Sequence, residues 1–338
     1  MWADGDLKAP FPYFGGKSKM ASLIWQHLGD VDNYVEPFMG SLAVLLGRPG
    51  AHRRKVETVN DKDNYLANFW RAVQADPDAV ARWVDWPVNE TDLTARHLWL
   101  VNEGRGLIAN LDADPDAYDV KVAGWWLWGI CIWIGSGWCA GDGSWKVVAG
   151  VLQKTNAAGI RRKRPHLGAG QGVNRQLPHL GDAGQIYGYM AALSERLRRV
   201  RVTCGDWQRV VTPGALSHWA SVGVFLDPPY AADTGRDMSL YNQETEVSAA
   251  VREWAIANGD NPRYRIALCG YDGEHVMPES WHEVGWSAGA AYKSSRGDQN
   301  GNRHRERIWF SPHCLYMPLW AAPVNDAEPC AGMGTGWR

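Results

Sequence analysis

The chain has 338 residues, 45% hydrophobic and 21% charged, with a formal net charge of −2. That length allows one large domain or two of ordinary size, and the composition excludes an intrinsically disordered chain. The near-zero charge excludes a globally basic nucleic-acid binder, so any such contact has to come from local clusters.

The opening stretch Phe11 to Lys17, Phe-Pro-Tyr-Phe-Gly-Gly-Lys, reads as a loop, and Ser18 to Leu28 as an amphipathic helix. Asn33 to Val35 is a short strand that runs into Glu36-Pro37-Phe38-Met39-Gly40, with an apolar helix, Ser41 to Leu46, directly behind it. Lys55 to Val59 makes a second strand ending in Asn60-Asp61-Lys62-Asp63, and Tyr65 to Ala75 is helical by period. This β-loop-α-β unit opens a doubly wound sheet.

Between 76 and 185 the alternation lapses. The stretch holds many of the twenty tryptophans, the basic run Arg161-Arg162-Lys163-Arg164 and a Gly/Pro/His-rich segment from Pro165 to Gly184. It is expected to be an inserted subdomain with long loops. The α/β grammar resumes with a helix at Ile186 to Arg199 and strands at Val200 to Cys204 and Val222 to Leu226. A helix at Glu244 to Ala257 and strands at Arg265 to Cys269 and Glu306 to Phe310 complete it. Residues 1–75 and 186–311 thus form a discontinuous core, 76–185 the insertion, and 312–338 a Pro- and Gly-rich tail expected to fray.

Val122 to Gly141 carries no charge and has the length of a membrane helix. Its five glycines and mid-segment tryptophans argue instead for a buried aromatic segment. Trp125, Trp126, Trp128 and Trp133 accordingly read as core. The six cysteines (Cys131, Cys139, Cys204, Cys269, Cys314, Cys330) contain no CxxC pair, and the ten histidines no ligand spacing. No metal is expected, and a reducing cytoplasm is the expected setting, with no membrane attachment.

Residues 222–230 read Val-Gly-Val-Phe-Leu-Asp-Pro-Pro-Tyr. A continuous apolar run is the mark of a strand covered on both faces, and here it stops at a carboxylate followed by two prolines. The result is a rigid elbow at the carboxyl end of a strand, where open α/β sheets bind ligands. Asp227 is an acceptor, the Pro228 carbonyl has no competing N–H in the next residue, and Tyr230 is an aromatic plate. That set suits the exocyclic amine of a planar base. Standing alone, the tetrapeptide would be an ordinary turn with an Asp cap. Here it follows three other strand-end or loop sites in order: Phe14 to Lys17, Glu36 to Ser41 and Val59 to Asp61.

The succession PYFGGK, VEPFMGSLAV, NDKDN and LDPPY resembles the Dam-type DNA adenine-N6 methyltransferases over roughly residues 10–75 and 186–311. The resemblance implies an α/β fold with a doubly wound mixed sheet, a Rossmann-like methyltransferase core, carrying an inserted target-recognition subdomain. It implies S-adenosyl-L-methionine as cofactor and double-stranded DNA as substrate, with no obligatory protein partner. Asp227, Pro228, Pro229 and Tyr230 would be catalytic. Tyr13, Gly15, Gly16, Lys17, Glu36, Pro37, Phe38, Gly40, Asp61, Asp206, Trp207 and Asp227 would bind the cofactor. In such a site Gly40 admits the cofactor to the backbone and Asp61 accepts from ribose hydroxyls. Glu36 faces the methionine amino group and Lys17 its carboxylate. Cys204-Gly205-Asp206-Trp207 resembles the family's strand-end pair against the cofactor adenine, and Cys269-Gly270-Tyr271 and Arg305-Glu306-Arg307 resemble later core elements.

Two departures stand out. Leu42 replaces the second glycine of the cofactor loop, and the family's Asn-Arg and Asn-Gly pairs are not recognisable in Trp125 to Gly137. The target sequence therefore does not carry over, and association with a nuclease stays open. An N4-cytosine methyltransferase is the nearest alternative, which a Ser in place of Asp227 would have favoured. A catalytically silent DNA-binding relative is disfavoured by the intact Asp227 to Tyr230 and Lys17. Arg161 to Arg164 is balanced between a solvated charge run and a phosphate contact.

Overall fold

The computed structural model describes residues 7–11, 13, 16–50, 55–114, 116–133, 138–139, 145–148, 151–154, 185–229, 238–286 and 306–316. Gly15, Tyr230 and the basic run 161–164 lie outside the described residues. The strands are β1 (Asn33–Glu36), β2 (Val56–Asp61), β3 (Trp145–Val148), β4 (Val151–Lys154), β5 (Val200–Cys204), β6 (Val222–Leu226), β7 (Tyr264–Tyr271), β8 (His282–Trp286) and β9 (Glu306–Phe310). The α-helices before β5 are α1 (Ala21–Leu28), α2 (Ala43–Leu46), α3 (Asn64–Ala75), α4 (Pro77–Val84), α5 (Glu90–Trp99), α6 (Arg105–Leu107), α7 (Val120–Ile132) and α8 (Gln185–Leu197). After β5 come α9 (Pro213–Leu216) and α10 (Met238–Gly259).

Among the described residues a seven-stranded sheet has the order β5-β2-β1-β6-β7-β9-β8, and β3-β4 form a separate antiparallel pair. The first five strands are parallel, whereas β9 runs antiparallel between β7 and β8. The chain builds outward from β1 through β2 to β5, then returns to β1's other side for β6. The carboxyl ends of β1 and β6 therefore flank the topological switch point, where such sheets open a crevice. This is the doubly wound mixed sheet that the sequence predicts.

Strand alternation divides the core into two faces. Tyr34, Phe225, Cys269, Ile308 and Phe310 pack with α1, α3, α4, α7 and α8. Val35, Val224, Leu226, Ile266, Leu268 and Trp309 pack with α9, α10 and the 3-10 turn Trp207–Val210. With both faces covered, every residue of β6 is buried, which explains its unbroken apolar run.

Where long loops were expected, residues 77–132 are largely helical. Asp76, Asn89 and Asp119 cap α4, α5 and α7 with their side chains. The central part of α7, including Trp126, Leu127 and Trp128, is buried between neighbours, so the helix lacks the polar stripe that reveals an amphipathic period. Trp125 and Trp133 pack at the edge of the same core, as their reading as core requires. No described helix is long and apolar enough to cross a membrane. Edge strand β8 also went unread, because His282-Glu283-Val284-Gly285-Trp286 offers no apolar run.

A buried ion cluster ties β2 to its flanks. Glu57 receives Arg48 Nη1 at 3.1 Å and Arg196 at 2.7 and 3.0 Å. The spare guanidinium hydrogens go to the carbonyls of Val31 and Leu45 at 2.6 and 3.0 Å. Removing the shared carboxylate leaves two buried cations facing each other. Glu57→Ala should lower unfolding free energy by about 3–5 kcal/mol, read from urea denaturation midpoints. A loss below about 1 kcal/mol, the range of exposed pairs, would contradict the role given to this cluster.

Candidate active site

Residues that share a parity on neighbouring strands project from the same face. At the carboxyl edge of the sheet this places Glu36 of β1, Asp227 just past β6, Cys269 of β7 and Glu306 of β9 on one side. Glu306 reaches that edge because β9 runs antiparallel and pairs its first residue with Tyr271, the last of β7. Lys17 closes over this row. Its Nζ lies 3.0 Å from Asp227 Oδ2 and 3.9 Å from Glu306 Oε2. Burial opposes the Lys17 charge, but Asp227, Cys269 and Glu306 outweigh it and raise its pKa.

The β1–α2 loop is shaped by two residues in the left-handed region. Gly40 has φ +42°, and a Cβ there would come within 2.6 Å of the Tyr13 ring, so only glycine fits. Leu42 has φ +54° and is fully buried. The missing second glycine thus changes the residue and not the left-handed turn.

Asp61 at the end of β2 holds this loop, accepting from Gly40 N and Asp63 N at 3.0 Å each. Burial pushes its pKa up to about 6. The Lys62 amide is a third donor to this carboxylate, which leaves acceptor capacity for a ligand hydroxyl. On β5's side, Asp206 accepts from Gln208 N at 2.9 Å, and Trp207 stacks on Phe38 with centroids 6.1 Å apart. Tyr13 lies at the mouth, 41% exposed, and its carbonyl accepts from Gly16 N at 3.2 Å.

The structure therefore gathers Tyr13, Gly16, Lys17, Gly40, Asp61 and Asp227 around the strand ends, with Pro228 buried and Pro229 exposed behind Asp227. Glu36 is turned inward. It accepts from Tyr34 Oη at 2.9 Å and from the Leu45 backbone, and burial pushes its pKa up to about 8. Two residues escaped the sequence reading. Asn60 donates to the Pro37 and Gly205 carbonyls at 3.1 and 3.0 Å, joining the loops after β1 and β5. Glu306 shares Lys17 with Asp227, and the only local hint is a charged residue in phase with inward-facing Ile308 and Phe310.

Sheet order, left-handed glycine loop and strand-end Asp-Pro-Pro together describe a Rossmann-like methyltransferase core. Residues 13–92 match the family model described as D12 class N6 adenine-specific DNA methyltransferase, in agreement with the Dam-type resemblance. The match supports an adenine-N6 DNA methyltransferase, and it spans Lys17, Glu36, Gly40 and Asp61. A search of curated proteins gave no match.

Glu36 makes stability depend on pH. Its pKa is raised from 4.5 to about 8 in the fold, so the folded state binds the extra proton. Its contribution is complete below the unfolded value and is lost as pH rises through about 8. In the ligand-free protein, Glu36→Gln should therefore gain on wild type steadily between pH 5 and 8 in thermal melts. A pH-independent offset between the two would contradict this.

Proposed function

We propose that the chain transfers the methyl group of S-adenosylmethionine to the N6 amine of an adenine rotated out of double-stranded DNA. The observation that carries the proposal is Asp227 at the switch-point end of β6, paired with Lys17 and backed by two prolines. The residues suit the cofactor chemically. Asp61 and Asp227 are acceptors for its hydroxyl and cationic groups, with Glu36 beneath them. Phe38, stacked on Trp207 beside Asp206, offers an aromatic face to its adenine. Tyr13, Gly16, Lys17, Pro37 and Gly40 complete the proposed holding set, with Gly15 beside them in sequence. When bound, the cofactor supplies an electrophilic methyl group on a sulfonium.

The protein's own part is to prepare the amine. Adenine N6 is a poor nucleophile because its lone pair is delocalised into the ring. Hydrogen bonds from the amine to Asp227 and to the Pro228 carbonyl favour a tetrahedral nitrogen and free that lone pair. Tyr230 stacks on the base. In a duplex the amine is paired and stacked, so the base has to leave the helix to reach this crevice. Residues 76–185 would supply target recognition, and Arg161, Arg162, Lys163 and Arg164 would meet phosphates. None of the five described cysteines is joined in a disulfide, which favours a reducing, cytoplasmic setting.

Asp227→Asn keeps the shape but loses a charge-assisted acceptor, and should slow single-turnover methyl transfer by roughly a hundredfold or more. Asp227→Ala should abolish it, at an added stability cost, since it strips a buried ammonium of its nearest partner. Normal rates in Asp227→Ala would refute this chemistry. Neutralising the four basic residues should flatten the log–log salt dependence of DNA binding by about one unit for each phosphate they neutralise in the wild-type complex. An unchanged slope would return the run to solvent.

A further inference from the structure

Asp227 has two demands on it. In the structure its Oδ2 is engaged by Lys17 at 3.0 Å, yet methyl transfer asks the same carboxylate to act as a strong acceptor for the target amine. An ammonium held that close draws charge from the carboxylate and weakens it as an acceptor. Lys17 cannot withdraw into water, because its side chain is 2% exposed whereas that of Asp227 is 19% exposed. A lysine ammonium has three donors, so the cofactor carboxylate proposed for Lys17 can take one and still leave the donor that quits Asp227 in need of a buried acceptor within reach.

Glu306 is that carboxylate. Its Oε2 is 3.9 Å from Lys17 Nζ, beyond hydrogen-bond distance, and is buried without a hydrogen-bond partner among the described residues. A movement of the ammonium by about 1 Å exchanges a hydrogen bond at Asp227 for one at Glu306. The other groups facing this space do not offer the same service. Glu36 is held by Tyr34 and Leu45, and the Cys269 thiol is a weak acceptor. Burial and the nearby Asp227 charge raise the Glu306 pKa while Lys17 lowers it, as expected of two carboxylates competing for one cation.

We propose that Glu306 is a positioning residue for methyl transfer: it is the second seat of the Lys17 ammonium, taking it from Asp227 as the target amine docks. The proposal rests on the methyltransferase reading above. It also accounts for an antiparallel strand, β9, delivering a buried charge to the carboxyl edge of an otherwise parallel row of strand ends.

The test compares wild type, Glu306→Gln and Glu306→Asp in three measurements: thermal melting, calorimetric affinity for S-adenosylmethionine, and steady-state methylation of DNA. Glu306→Gln should melt near wild type and bind the cofactor within about twofold, while kcat falls about tenfold. Glu306→Asp, which keeps the charge but shortens its reach, should fall between the two. A role in packing alone predicts the reverse order, because glutamine preserves the volume better than aspartate. Normal kcat in Glu306→Gln, a Gln variant better than the Asp variant, or a loss of cofactor affinity matching the loss of kcat would each overturn the proposal. If wild type itself methylates no adenine, the methyltransferase reading fails first, and the proposal falls with it.

Discussion

One buried ammonium organises the working edge of this molecule. An isolated charge in the interior costs more than a marginally stable fold can tolerate, so Lys17 requires carboxylates around it. Those carboxylates come from the elbow after β6 and the start of β9, segments separated by almost eighty residues. Satisfying Lys17 therefore brings together the N-terminal loop, the end of β6 and the antiparallel strand. The same loop carries Tyr13, whose ring lies against Gly40, so the β1–α2 turn is fixed by the same closure. Asp61 and Asn60 then tie that turn to β2 and to the loop after β5. The cluster of strand ends and loops at the switch point is a consequence of charge pairing and strand order together.

Much of this was legible in sequence because strand ends leave local marks. Apolar runs broken by Glu36-Pro37, Asn60-Asp61 and Asp227-Pro228 mark both the strands and the places where they stop. What Glu306 and Asn60 do left no such mark. Their roles depend on which strands become neighbours, and that is a property of the sheet order. Helix α7 was hidden for a different reason: apolar on most sides, it has no stripe to read.

Leu42 shows where a local rule yields to packing. A non-glycine residue at φ +54° costs about 1–2 kcal/mol. Full burial of a leucine side chain returns about 1.5–3 kcal/mol, enough to hold the turn without glycine's freedom. The tryptophan-rich region follows the same logic of internal satisfaction. Arg96 lies 4.3–5.0 Å from the ring centroids of Trp86, Trp125 and Trp128, and Lys121 sits 3.9 Å over Trp99. These aromatic faces already hold cations of the protein itself. Trp99, Trp125 and Trp128 serve as core while Trp86 stays exposed against Arg96, and stacking with a displaced base falls to Tyr230 in the proposed reaction.

In the proposed reaction the Lys17–Asp227 edge methylates the N6 amine of adenine in DNA. The most direct measurement is to incubate the protein with duplex DNA and S-adenosylmethionine carrying a deuterated methyl group, digest the DNA to nucleosides and weigh them. Mass-shifted N6-methyldeoxyadenosine is expected, and should be absent when Asp227→Ala replaces wild type. Label found only in N4-methyldeoxycytidine, or in no nucleoside at all, would contradict it.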